Sequence, residues 1–155
     1  MATTAEQDLL FPKFKFKVTF MGDWLSKVGS SLAEETSFTE VNGLKMGVNA
    51  TQITTINNTV ARLPNSRDVG TLTLKRGVIQ STQIRKWVSD AVDKSLFWPL
   101  MVQVQLLNSS NKPAITWQCY NCWPISLEVE GFNSTSSEIL YETLTLAYSS
   151  ITVKT

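Results

Sequence analysis

The sequence predicts a mainly β protein: one mostly antiparallel domain of strands with one α-helix packed on its flank, at about residues 81–93. Three observations carry this. Several short stretches alternate apolar and polar residues with the two-residue period of a half-buried strand. Clusters of Asn, Ser, Gly and Pro punctuate those stretches, as turns require. Only one segment shows a convincing apolar stripe at helical spacing.

The elements follow in order. Residues 13–20, KFKFKVTF, place Phe14, Phe16, Val18 and Phe20 on one face and Lys13, Lys15, Lys17 and Thr19 on the other. Residues 23–32 give a weaker helical pattern through Trp24, Leu25, Val28 and Leu32, interrupted by Gly29 and serines. Two strands fit between Thr36 and Asn57, broken by Asn42-Gly43. Residues 71–76 alternate through Leu72 and Leu74. Ser81 is a natural N-cap for the main helix, and Ile84, Trp87, Val88, Ala91 and Val92 follow at i, i+3, i+4, i+7 and i+8. Residues 102–106 alternate again, and NSSNKP at 108–113 reads as a hairpin loop leading into a strand over 114–121. The apolar, β-branched run 139–153 puts Leu144, Leu146 and Tyr148 on a shared face. One domain over 1–155 is expected, with a possible helical insertion at 21–37.

Composition narrows the function. The chain has 155 residues, 43% hydrophobic and 17% charged, a globular balance. Fourteen basic and thirteen acidic residues give a net charge of +1, so no global field argues for nucleic acid or an anionic membrane. No signal-peptide pattern opens the sequence, and no run of about eighteen apolar residues suggests a membrane span. A soluble chain made in the cytoplasm is expected. The Asn-x-Ser/Thr sites at Asn49, Asn57, Asn108 and Asn133 then read as loop and strand chemistry.

Cys119 and Cys122 share a C-x-x-C spacing in WQCYNCWP. A structural zinc site wants four Cys or His ligands, and this chain has two Cys and no His. A redox dithiol sits at a helix start, whereas this pair follows an alternating strand and precedes Pro124, which reads as the strand's end. Along a continuous strand the two thiols face opposite ways and lie too far apart to bridge. The pair reads as buried, inert cysteine. Without His, the commonest general base is missing. Glu128 and Glu130 share a strand face, as do Glu138 and Glu142, but solvated carboxylates of this kind are ordinary. Glu142 also shares its face with Leu144 and Leu146, so its burial would demand a partner such as Lys75, Arg76 or Arg85. LKRGV at 74–78 lacks P-loop spacing, and the Lys13/Lys15/Lys17 face has no interleaved aromatic residues for nucleic acid. No catalytic, metal-binding or cofactor-binding residues emerge, and no enzyme is expected.

A β domain without a site can work through its surfaces. Residues 46–57, MGVNATQITTIN, look extended but carry polar residues on both faces. Such a strand suits a water-filled wall or a subunit boundary. Open sheet edges also find closure by joining edge to edge in a ring.

In its motifs the chain resembles the tail tube proteins of contractile phages and of phage-tail-like contractile injection systems. The resemblance runs through FKFKVTF at 14–20, FTEVNGL at 38–44 and RLPNSRDVGTLTLKRGV at 62–78. It continues at the helix residue Trp87 and through PAITWQCYNCWPISLEVEGFNSTSSEILYETLTLAY at 113–148. It implies a small antiparallel barrel or sandwich whose copies join through inter-subunit strands into hexameric rings. Rings of that family stack into a tube inside a contractile sheath. The implied partners are further copies of the chain, sheath subunits, baseplate or tube-initiator and terminator proteins, and luminal cargo. No cofactor and no membrane span are implied, and the particle would be a phage tail or a tail-like device. Two departures stand out: the segment 21–37 is longer than in compact relatives, and TTINNTVAR at 54–62 is neither acidic nor glycine-rich.

These readings nominate assembly residues. Asn49, Thr51, Gln52, Thr54, Thr55 and Asn57 should border the channel or the joint between subunits. The 54–68 loop should reach an adjacent ring or subunit. Trp24 and Leu25 should make a contact outside the central barrel. Glu142 joins them either as an assembly residue or as a buried pair that fixes strand register. Alternatives are a tube initiator at the baseplate and, from another class, a monomeric β-sandwich binding module.

Overall fold

The structure is a computed structural model that describes residues 15–23, 37–80 and 83–155. Alternation drives its first sheet. In β1 (Phe16–Met21) Val18 and Phe20 point inward, and the strand pairs antiparallel with β6 (Leu100–Leu107), Val18 opposite Val104. β6 pairs in turn with the first half of β7 (Pro113–Val129), whose other edge takes β9 (Ser150–Lys154). The second half of β7 pairs with β8 (Tyr141–Ala147), which pairs with β5 (Thr71–Gly77) and through it with the short β2 (Glu40–Asn42). Every described pairing is antiparallel. β3 (Gly47–Thr54) and β4 (Val60–Asp68) pair only with each other, as a separate two-stranded ribbon.

One core joins the two sheets. Leu72, Leu74, Leu144 and Leu146 come from one, and Val18, Phe20, Val102, Val104 and Cys119 from the other. Helix α1 (Gln83–Lys94) adds Ile84, Trp87, Val88 and Ala91. Trp87 meets Phe20 edge to face at 6.2 Å and donates its indole N–H to the Trp98 carbonyl at 2.8 Å, which satisfies its polar tip. The helix ends where Ser95 turns left-handed (φ 53°) and the Leu96 amide donates back to Asp90 O at 3.0 Å. Val92 is exposed rather than part of the stripe; Asp90 is buried instead, its carboxylate held by Lys94 at 3.0 Å. Ser81, expected as the N-cap, and the segment 24–36 lie outside the described residues.

Three expectations are corrected. The strand does not end at Pro124: β7 runs on to Val129, with a register shift between Pro124 and Ser126 where the missing N–H is tolerated. Cys119 and Cys122 do not face opposite ways. Asn121 takes a left-handed conformation (φ 53°) and the register to β6 slips between Leu100 and Val102, so both cysteines turn into the core. The stretch 54–68 is not a loop; a short turn at 55–59 leads into the nine-residue β4.

Candidate assembly surface

The β3–β4 ribbon is an arm. Gly47 is half-buried and the other seven residues of β3 are exposed, so neither face of the arm is covered by the chain's own core. Its tip closes locally: the Asn58 amide donates to Thr55 O, and Thr55 Oγ1 bonds both the Thr59 carbonyl and the Thr59 amide. Asn58 supplies the left-handed corner (φ 59°) that an Asn tolerates well.

The base of the arm is fixed tightly. Gly43 follows β2 with φ 97°, and a Cβ there would overlap the Thr71 carbonyl oxygen. Tyr148 reaches in from the junction of β8 and β9. Its hydroxyl donates to Gly43 O at 2.8 Å and accepts from the Lys45 and Gly70 amides at 3.3 and 3.2 Å. Lys45 and Asp68 form an ion pair across the base. A single phenol thus ties both strands of the arm to the body.

Register sorts the arm's residues by face. Asn49, Thr51 and Ile53 lie on one side with Ala61, Leu63 and Asn65, where Asn65 donates to Thr51 Oγ1 at 3.0 Å and Asn49 to Ser66 Oγ at 3.3 Å. Val48, Gln52 and Thr54 lie on the other side, opposite Arg67, Arg62 and Val60. The six polar candidates therefore divide: Asn49 and Thr51 share one face, Gln52 and Thr54 the other, and Thr55 and Asn57 form the turn. The sequence reading overlooked the larger residues among them. Ile53, Ile56, Val60 and Leu63 are all exposed large hydrophobics, Ile56 fully so at 105%. Val60 and Leu63 stand three residues apart and face opposite sides, so no two-residue alternation announces them.

Glu142 is not on a surface of the lone chain. It is buried at 1%, its carboxylate held by Arg76 Nε at 2.7 Å and Arg85 Nη2 at 3.1 Å. Arg76 stands opposite it in the β5–β8 register and stacks over Phe38 at 5.5 Å, while Arg85 reaches from α1. This cluster ties helix to sheet. Glu138, expected on the same face, is exposed in the loop before β8. Glu128 and Glu130 are exposed, and Glu130 meets Lys75 at 3.0 Å, which raises the Lys75 pKa.

The cysteines are free thiols. Burial pushes Cys119 up to about 11 and Cys122 to about 12, and Cys122 Sγ lies 3.3 Å from the Cys119 carbonyl. Such thiols stay protonated and unreactive near neutrality. Among the described residues no group of three His, Cys, Asp or Glu could hold a metal, and no helix is long and apolar enough to cross a membrane. Trp24 and Leu25 lie outside the described residues.

Comparison with known proteins supplies the context for the arm. The fold matches a chain in the PVC extracellular contractile injection system sheath–tube complex in its extended state, with a TM-score of 0.80 and 20% identity, covering 99% of each chain. It matches a chain in the structure of the anti-feeding prophage cap, the tube-terminating cap, at 0.78 and 24%, covering 100% of this chain and 99% of that one. It also matches a chain of the anti-feeding prophage baseplate at 0.79 and 20%, covering 99% and 97%. Among curated proteins there is no match. The family model for the T4-like virus tail tube protein gp19 matches residues 12–152, nearly the whole chain. The protein belongs to that tail tube family, and it is a tube-like component of a phage tail or contractile tail-like particle.

Proposed function

We propose that the chain is the main inner-tube subunit of a contractile injection apparatus, with a structural rather than catalytic role. Six copies close into a ring, rings stack into a tube inside sheath subunits, and a baseplate or initiator protein and a terminator bound its ends. The lumen passes cargo. The subunit is made in the bacterial cytoplasm before it enters the particle.

The arm is the observation that carries this reading. A two-stranded hairpin is marginal in water on its own. This one holds Ile53, Ile56, Val60 and Leu63 in solvent, an arrangement that costs stability in a monomer and is repaired when another copy covers it. Asn49, Thr51, Gln52, Thr54, Thr55 and Asn57 accordingly sit at the joint between subunits, their polar groups leaving part of that joint wet. Residues 54–68 reach the adjacent subunit. Trp24 and Leu25 supply a contact outside the central barrel; paired alanines there that changed neither stability nor assembly would remove them from the scheme.

Electron microscopy of the purified protein over a concentration series, paired with light-scattering mass, tests the proposal. Stacked rings with a central hole are expected. Rings that never stack would make the chain a tube initiator, and a monomer at every concentration would favour a binding module.

A further inference from the structure

The arm and one other segment of this chain are complementary, and they adjoin opposite ends of one strand of the body, β5. Residues 46–67 contain no carboxylate but two arginines, Arg62 and Arg67. Both are exposed, and among the described residues neither meets an acidic partner. The β3–β4 register places them on the arm face that also carries Val48 and Val60.

The segment 128–139, from the end of β7 through the loop before β8, has the reverse composition. It holds Glu128, Glu130 and Glu138 and no basic residue. Between them Val129, Phe132 and Ile139 are exposed, Phe132 at 86%. Glu130, Phe132, Glu138 and Ile139 border a depression of about 240 Å³. The loop is internally braced: Asn133 Oδ1 accepts from the Thr135 amide at 3.0 Å, and Ser136 Oγ from the Glu138 amide at 3.3 Å. Glu130 already holds Lys75, which leaves Glu128 and Glu138 as its outward charges.

Strand β5 connects the two features. The arm returns to the body just before Thr71, the first residue of β5, while Gly77 at its last residue faces Tyr141, beside the acidic segment. Seven residues of strand span about 20 Å. Surfaces at opposite ends of one strand meet between copies rather than within one, and such a contact is head to tail.

We propose that the arm of one copy docks on the 128–139 segment of the next, Arg62 and Arg67 facing Glu128 and Glu138 around an apolar centre that includes Val48, Val60, Phe132 and Ile139. This rests on the arm being a subunit joint and names what receives it. The contact is heterologous, so it propagates from copy to copy. Its charges select the partner's orientation more than they set its affinity.

Charge reversal in the full-length protein tests it. An arm variant carries Arg62→Glu and Arg67→Glu; an acceptor variant carries Glu128→Lys and Glu138→Lys. All four positions are exposed, so thermal unfolding of each variant should match the unaltered protein. Each variant alone should need at least tenfold more protein to assemble, scored by light scattering and electron microscopy. An equimolar mixture should restore assembly, because each reversed arm then meets a reversed acceptor and each original arm an original acceptor. If the arm variant fails to assemble and the mixture does not recover, the acceptor is wrong while the arm remains a joint. If the acceptor variant alone assembles normally, the proposal is likewise overturned. If the arm variant assembles normally, both this contact and the arm's place in the joint fall.

Discussion

At the scale of single residues, the protein puts its ionisable chemistry to structural use. Glu142 is buried between two guanidiniums, so removing its carboxylate leaves Arg76, itself 3% exposed, with a buried charge it can no longer pair in the same way. Breaking a buried pair from one side typically costs about 3–5 kcal/mol. Glu142→Ala should lower urea-unfolding stability by about that much, and Glu142→Asp should recover only part of it, because the shorter side chain cannot reach both arginines. The cysteines make a pH prediction. Their folded pKa values lie at about 11 and 12, above the usual thiol value of about 8.5. As pH rises, the unfolded chain therefore loses these protons first. The stability they contribute is fully present below about pH 8 and declines from about pH 9 through their folded pKa values. Unfolding midpoints at pH 7.5 and pH 10 should differ more for the unaltered protein than for a Cys119→Ala, Cys122→Ala variant.

At the scale of elements, the base of the arm decides how much of the molecule behaves as one body. Tyr148→Phe removes the hydroxyl that joins Gly43, Lys45 and Gly70, leaving two amides without that acceptor. The expected cost is about 1–3 kcal/mol. Assembly should suffer more than the melting temperature does, since the arm would lose its fixed angle while the core stays packed. Excised as a peptide, residues 45–69 should show little strand signal by circular dichroism, because the ribbon is anchored only at its base. The strands of the core were legible in the sequence wherever one face was buried: β1, β5, β6 and β8 each alternate, and the helix stripe through Ile84, Trp87 and Ala91 is where its spacing puts it. The failures have physical causes. β4 has no buried face, so it leaves no binary pattern to read, and Pro64 stands inside it. The continuation of β7 past Pro124 depends on a register shift, and the common orientation of the two cysteines depends on the backbone of Asn121. Neither is written in residue polarity. The polar character of residues 46–57 did point to an unusual surface, but the arginines and the acidic segment matter only as a pair, and nothing local in the sequence connects 62–67 with 128–139.

At the scale of the whole molecule, a net charge near zero conceals a separation of charge along strand β5, cationic in the arm that precedes it and acidic beyond its far end. Assembly built on that separation should weaken as salt screens it. Light scattering at 0.05 and 0.5 M NaCl should show less assembled protein in the higher salt if charge pairing outweighs apolar burial at the joint. Strand order also sets a timetable for folding. The arm is formed by neighbours in sequence, and hairpins of this kind form in roughly 1–10 μs. The body cannot keep that pace: Phe16 must find Leu106, and β7 must wait for β9 at the far end of the chain. Non-local pairings of this sort put β folds in the millisecond-to-second range. During synthesis the arm's residues therefore emerge before the strands that anchor them, yet the ribbon is fixed only when Tyr148 closes its base, after the acidic segment of the same chain has been made. Sticky end and receptor thus become available in the same late step, so a half-made subunit offers its neighbours neither, and only finished copies can join.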